Sequence, residues 1–272
     1  MKKLFSIVMI FVLFTAATGF AAVPVCQVHF IDAGQSDCIL IKGEKNNYLI
    51  DTGAVYYTEA ILNYLNKNNV KELKSVILTH YHDDHYGGLL KICEKLKVQE
   101  VCLPLHKSDI GIIYGKVLEN MGIRVRHADC CYSLHDGKIN LEAIGPLSYD
   151  RKNENNNSLV LQGEIDGIRY IFAGDCEKDE ENDMLRMKYI KKCDVLKISH
   201  HTLDTSGTSK FLAAAQPEIM VATCNGVDTP DYKNLQNYAR YGAVLRSDVN
   251  GSIVIKNNSV QGKDINIRLI KK

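Results

Sequence analysis

Between residues 79 and 88 the chain reads Thr-His-Tyr-His-Asp-Asp-His-Tyr-Gly-Gly, so His80, His82, Asp83, Asp84 and His85 crowd into six positions. Imidazole is the commonest side-chain ligand for metals, and carboxylates complete such shells. The run begins where the apolar stretch Ser75-Val76-Ile77-Leu78 stops, and it gives way to helical spacing from Leu89. Side chains leaving a strand end fan out, so His80 and His82, two apart, can face one point while Asp84 and His85 face another. Two neighbouring cation pockets can grow from one loop. An isolated histidine at a strand end is ordinarily just a hydrogen-bonded polar residue, but four ligands in H-x-H-x-D-H order are hard to place there by chance. Gly87 and Gly88 read as clearance, removing bulk where backbone passes close or takes unusual dihedrals.

The elements that must hold this loop are legible from periodicity. Segments 25–30, 38–42 and 47–50 read as antiparallel hairpins of a first sheet, and 74–78 as the strand that enters the loop. Helical spacing covers 57–65, 89–97 and 109–121, with short strands at 98–103 and 123–125. A second hairpin series follows at 139–144, 158–165 and 169–173, separated by a polar loop at 150–157. Helices are then expected at 180–189, 205–215 and 234–241, with strands at 193–198 and 218–223. Segments 243–247 and 252–255 are assigned to the second sheet, and 265–270 is a final strand. The two halves look like a weak duplication. Two strand ends in the second half carry further ligand types, Gly174-Asp175 and His200-His201.

Taken with His29-Phe30-Ile31-Asp32-Ala33-Gly34-Gln35-Ser36-Asp37, Leu49-Ile50-Asp51-Thr52-Gly53, Asn157 to Leu161, Ala173-Gly174-Asp175 and Val195 to His201, the H-x-H-x-D-H run resembles the metallo-β-lactamase fold. The order and spacing resemble in particular the C-terminal hydrolase-like domain of ComEC-type competence proteins and their free-standing relatives. This resemblance implies an α/β, four-layer αββα sandwich over residues 23–272 and two divalent metal ions, zinc or manganese. It implies one ion on His80, His82 and Asp175 and the other on Asp84, His85, Asp175 and His200, with Asp175 bridging and Asp51 bracing the loop. His201 is the alternative to His200, or else a proton donor or phosphoryl contact; the register between them stays open. Asp84 is also implied in orienting the nucleophile.

Two departures qualify the resemblance. Where the wider fold carries a third histidine for the first metal, this chain offers Asn157 and Ser158, whose harder oxygens suit Mn²⁺ or Mg²⁺ as well as Zn²⁺. Thr229 stands where ComEC-type relatives carry a histidine. The implied activity is hydrolysis of phosphodiesters, by a nuclease or phosphodiesterase that activates water between two cations, with extracellular DNA as one candidate substrate. The competing expectation is a DNA- or envelope-binding module on the same fold with weak or no turnover.

Composition places limits on partners and compartment. Thirty-three Lys plus Arg against 32 Asp plus Glu leave a net charge of +1, so no overall field draws in nucleic acid. A hydrophobic content of 46% over 272 residues suits one sizeable domain. Residues 1–22 have a basic start, a short apolar core and a small-residue close at Ala21-Ala22. They are read as a cleaved signal peptide, giving a secreted or cell-surface protein with no stable membrane insertion afterwards. Cys26 stands near the processing site, but Val23-Pro24-Val25-Cys26 makes a poor lipid-attachment box. The nine cysteines are an odd count without C-x-x-C spacing; Cys38, Cys93 and Cys102 read as buried free thiols, and no pairing is assigned. His106, His127 and His135 lack partner spacing and read as ordinary polar residues.

Overall fold

The structure, a computed structural model, describes residues 25–270; the expected signal peptide lies outside them. Two sheets face each other. The first has nine strands, in the order Ile265–Arg268, Ser259–Gly262, Ile253–Lys256, Gln27–Phe30, Ile39–Lys42, Asn47–Ile50, Ser75–Ile77, Glu100–Pro104 and Arg124–Ala128. The second has seven, running from Ser133–Asp136 through Ile139–Gly145, Val160–Ile165, Ile168–Phe172, Val195–Lys197 and Ile219–Ala222 to Ala243–Arg246. Each sheet begins as antiparallel hairpins and becomes parallel after its last hairpin strand, at Asn47–Ile50 in one and Ile168–Phe172 in the other. Parallel neighbours need crossovers, and helices supply them: Thr58–Lys67, Leu89–Lys95 and Asp109–Asn120 in the first half, Lys178–Arg186, Ser209–Ala215 and Tyr232–Tyr238 in the second.

Alternation along the strands sorts apolar side chains between layers. Val28, Phe30, Ile39, Ile41, Leu161, Tyr170 and Phe172 fill the space between the sheets, where the Phe30 and Phe172 rings lie 6.2 Å apart. Leu40, Leu49, Val76, Ile61, Leu65 and Ile92 pack the first sheet against its helices. Val160, Ile171, Leu196, Phe211 and Leu212 do the same for the second. Three apolar layers between two helical and two sheet layers make the expected αββα sandwich.

The structure corrects the expected membership of one strand. Ile253–Lys256 does not complete the second sheet; it pairs antiparallel with Gln27–Phe30 in the first, and Ser259–Gly262 and Ile265–Arg268 extend that edge. A short apolar strand carries no mark of which sheet it will join. Strands Ser133–Asp136, Ser259–Gly262 and Glu72–Leu73 were not legible as strands, and the expected strand 98–103 divides into Lys97–Val98, which pairs with Glu72–Leu73, and Glu100–Pro104. Among the described residues no helix is long and apolar enough to cross a membrane.

Candidate metal centre

Chemistry-bearing residues gather where parallel strands end, the position at which open α/β sheets form crevices. Strand Ser75–Ile77 runs into Thr79 and His80, Asn47–Ile50 into Asp51, Ile168–Phe172 into Asp175, Val195–Lys197 into His200 and His201, and Ile219–Ala222 into Thr223. The short helix Asp83–Tyr86 carries Asp84 and His85 back over these ends. Gly87 and Gly88 have helical φ values, so the need for unusual dihedrals is not met there. The clearance is real, but for a neighbouring loop. A Cβ on Gly87 would lie 2.4 Å from the Val55 nitrogen, and one on Gly88 2.4 Å from the Thr52 carbonyl oxygen.

Four side chains converge on one point: Asp84, His85, Asp175 and His201. His85 Nε2 stands 3.1 Å from Asp175 Oδ2 and 3.8 Å from Asp84 Oδ2. His201 Nε2 stands 3.2 Å from Asp84 Oδ2 and 3.4 Å from Asp175 Oδ2. A tetrahedral shell with metal–ligand bonds of about 2.0–2.1 Å has edges of about 3.3 Å, and these four distances bracket that value. His85 Nε2 is buried and makes no hydrogen bond despite the carboxylate beside it, an orphaned lone pair that a cation would satisfy. The residues present therefore fit a divalent ion.

Surrounding groups fix which nitrogen faces the cage. His85 Nδ1 lies 2.8 Å from Asp51 Oδ2, and Asp51 also accepts from the backbone N–H of Thr79 at 2.8 Å and its hydroxyl at 2.7 Å. His201 Nδ1 lies 2.9 Å from the Thr223 carbonyl oxygen. With Nδ1 donating in both rings, each Nε2 lone pair points inward, the arrangement that outer partners impose on ligand histidines. Asp51 thus stands where the resemblance put it, behind the loop. Lys197, fully buried, reaches Asp37, the Gly174 carbonyl oxygen at 3.0 Å and Asp175 Oδ1 at 3.5 Å. Only Oδ2 of Asp175 is turned to the cage. Its other oxygen, Oδ1, faces the Lys197 ammonium.

Electrostatics follow from this packing. Burial pushes the His85 and His201 rings down, but the carboxylates of Asp175 and Asp51 lift His85 well above its usual range, and those of Asp175 and Asp84 lift His201 to about 9. Burial likewise works against ionised Asp175 and Asp84, and the same cations hold both carboxyls below the usual range. The cage demands positive charge, from protons or from a metal ion.

Beside it, His80 Nε2 and His82 Nδ1 lie 3.1 Å apart, and the His80 and His85 ring centroids 4.2 Å apart. Burial, then the neighbouring His85, keeps the His80 imidazole neutral, as a ligand must be. The oxygens offered in place of a third histidine are committed elsewhere. Asn157 Oδ1 accepts from the Asp150 backbone N–H at 2.7 Å, and Ser158 Oγ accepts from that of Asp175 at 3.1 Å.

The register of the histidine pair resolves one step later than the resemblance placed it. His200 lies outside the cage, its Nδ1 2.8 Å from Thr205 Oγ1 and 3.0 Å from Glu177 Oε1, and His201 occupies the inward place. The reason is backbone: His200, His201 and Thr202 have φ values of 45°, 51° and 79°. Three consecutive left-handed residues break strand alternation, and such strain clusters at functional sites. His201, with one nitrogen on Thr223 and the other in the cage, has none free for the proton-donor role. Thr229 is buried, with its hydroxyl 3.4 Å from Gln35 Oε1.

Several residues of the centre went unassigned at the level of sequence: Asp37, Thr79, Lys197 and Thr223. Lys197 did carry a signal, a charge inside the apolar run Val195 to Ile198. His106, read as an ordinary polar residue, lies with Nε2 2.8 Å from Glu154 Oε1, which also accepts the Tyr81 backbone N–H at 2.8 Å. That carboxylate ties the 150–157 segment to the histidine-rich loop.

The chain matches the metallo-beta-lactamase superfamily over residues 31–224 and belongs to it. It is accordingly a metal-dependent hydrolase by family. Within that superfamily it is a relative of ComEC-type proteins: it is 28% identical to ComE operon protein 3 of Bacillus subtilis over 84% of this chain and 32% of that one. It is also 28% identical to the competence protein ComA of Neisseria gonorrhoeae over 82% and 31%. The chain thus spans about a third of the length of these curated relatives. Among solved structures, YhfI, a metallo-beta-lactamase fold protein of Bacillus subtilis, superposes with a TM-score of 0.55 at 16% identity, covering 86% of this chain and all of that one. At that identity the likeness shows the fold alone.

Proposed function

We propose that this chain hydrolyses phosphodiesters, using two divalent cations, zinc or manganese, one held by Asp84, His85, Asp175 and His201 and one by His80 and His82 beside Asp175. The observation that carries the reading is the cage of four ligand atoms with tetrahedral edge lengths, with a second pair of nitrogens at ligand spacing beside it. Bound there, such cations supply Lewis acidity and lower the pKa of water towards neutrality. The protein's own part is to hold His85 against Asp51 and His201 against Thr223 so that neither ring reorients during turnover.

The choice of a phosphodiester rests on the cleft beside the loop. A cavity of about 700 Å³ is lined by Lys107, Arg151, Asp150 and Glu154 among others. Both carboxylates are hydrogen-bonded, Glu154 by His106, Tyr81 and Asn157 and Asp150 by Asn156 and the backbone N–H groups of Lys152 and Asn153. Lys107 and Arg151 form no ion pair with any described carboxylate, so their charge is available to an anionic substrate. A leader-like segment at 1–22 and the competence relatives support a substrate outside the cell, with DNA one candidate. Purified protein stripped with chelator and refilled with Zn²⁺ or Mn²⁺ is expected to cleave bis(4-nitrophenyl) phosphate or plasmid DNA. No turnover with either ion, together with retained DNA binding, would support the second reading, a binding module, which the committed oxygens of Asn157 and Ser158 favour.

A further inference from the structure

Of the nine cysteines, seven are buried and two are exposed, and the two exposed ones are adjacent: Cys130 and Cys131. They occupy the centre of a tight turn. The Tyr132 backbone N–H bonds the Asp129 carbonyl oxygen at 2.9 Å, and the Cys131 N–H bonds Asp129 Oδ1 at 2.8 Å. Their sulfurs and an Asp129 carboxylate oxygen all lie within 4.8 Å of one another. The turn joins Arg124–Ala128, the edge of the first sheet, to Ser133–Asp136, the edge of the second, and is anchored by Tyr132, buried between the sheets. It also borders a cavity of about 430 Å³ lined by Ile144, Leu147 and Tyr189 among others.

We propose that Cys130 and Cys131 are a reversible dithiol–disulfide pair, a redox site separate from the metal centre. The co-reactant is a low-molecular-weight disulfide. One protein thiol loses its proton to solvent and attacks a sulfur of that disulfide, releasing one small thiol and leaving a mixed disulfide. The neighbouring thiol, deprotonated in turn, attacks the protein-bound sulfur, closes the Cys130–Cys131 bond and expels the second small thiol. The protein gives up two electrons and two protons, and one small disulfide becomes two thiols.

Geometry makes the bond labile. Neighbouring Cα atoms lie about 3.8 Å apart across a trans peptide, below the roughly 4.4–6.8 Å usual for disulfides, and such departure makes the bond easier to reduce. Partial burial, then the facing Cys131 and Asp129, raises the Cys130 thiol, so closure should quicken as pH rises. The pair does not depend on the metal centre's activity.

The test uses the full chain, reduced, freed of reductant and exposed to oxidised glutathione, then blocked with a maleimide. The peptide covering residues 127–138 is expected to lose two hydrogens and to escape labelling, and mild dithiothreitol should restore both thiols. In Cys130→Ser and Cys131→Ser, with circular dichroism confirming the fold, oxidation should stop at a stable glutathione adduct on the remaining thiol. Either outcome of the following kind overturns the proposal: a wild-type peptide that keeps two labelable thiols or a lasting adduct, or protection that a chelator removes with no loss of hydrogen, which would mark a bound soft cation instead.

Discussion

The two halves of the histidine-rich loop differ in how completely the protein builds them. Asp84 and His85 join Asp175 and His201 in a closed cage, with His85 backed by Asp51, His201 by Thr223 and Asp175 by Lys197. His80 and His82 offer two nitrogens 3.1 Å apart, and of the nearby oxygens the Asn157 amide accepts the Asp150 N–H of its own loop and the Ser158 hydroxyl accepts the backbone N–H of Asp175. Ligands held in place by outer partners bind tightly, whereas a half-built shell leaves positions for water or substrate. The cage is thus expected to hold its ion firmly and the imidazole pair to exchange its own, a division of labour between structural anchoring and an open position.

Breaking the cage tests this most severely. Asp175→Asn takes the negative charge from a fully buried ligand that faces both His85 and His201 and is expected to lower metal-dependent phosphodiester hydrolysis by roughly 10³-fold or more. Metal analysis should show the tighter ion lost; a variant that keeps both ions and its rate would end the account. Lys197→Met should act through stability instead. It strips from buried Asp37 its closest charged partner and from Asp175 one of three, at a cost of about 3–5 kcal/mol, read by urea unfolding.

The asymmetry itself is sharpened by histidine variants. His201→Ala should abolish the firmly held ion, His80→Ala only the exchangeable one, and His200→Ala neither, since His200 lies on Thr205 and Glu177. Equal metal loss from His80→Ala and His201→Ala would erase the distinction. Asp51→Asn is milder: it loosens the brace behind His85 without removing a ligand, and outer-partner losses typically cost 10–100-fold in metal affinity or activity.

Much of this centre was legible because its ligands come as short runs at strand ends, where residue type and spacing report directly on geometry. Sheet and helix identities followed from periodicity for the same reason. What the sequence hid depends on backbone and on distance along the chain. The choice of His201 over His200 rests on three left-handed residues in a row, which no side-chain pattern announces for His, His and Thr. Asp37 and Thr223 meet through a 2.7 Å hydrogen bond across 186 residues, and the sheet chosen by Ile253–Lys256 rests on pairing with Gln27–Phe30. Long-range partners leave no local signature.

A second buried carboxylate gives the cage its contrast and the smallest expected effect. Glu180 stands in the first turn of the helix that follows Asp175, and both its oxygens are buried without a hydrogen-bond partner. Asp175 is held low by His85, His201 and Lys197, whereas burial, then Glu181 and Asp183, pushes Glu180 well above the usual carboxylate range. A folded-state pKa above the unfolded one means the folded protein keeps its proton longer. Stability should therefore fall as pH rises from about 4.3 through the raised folded-state pKa, and level off above it. Glu180→Gln keeps the shape and cannot ionise, so its unfolding curve should match wild type near pH 4 and gain about 1–2 kcal/mol at pH 8. A gain that is constant with pH would show that Glu180 stays ionised in the fold. A loss at pH 8 would show that its charge has a partner after all, and the contrast with Asp175 would disappear.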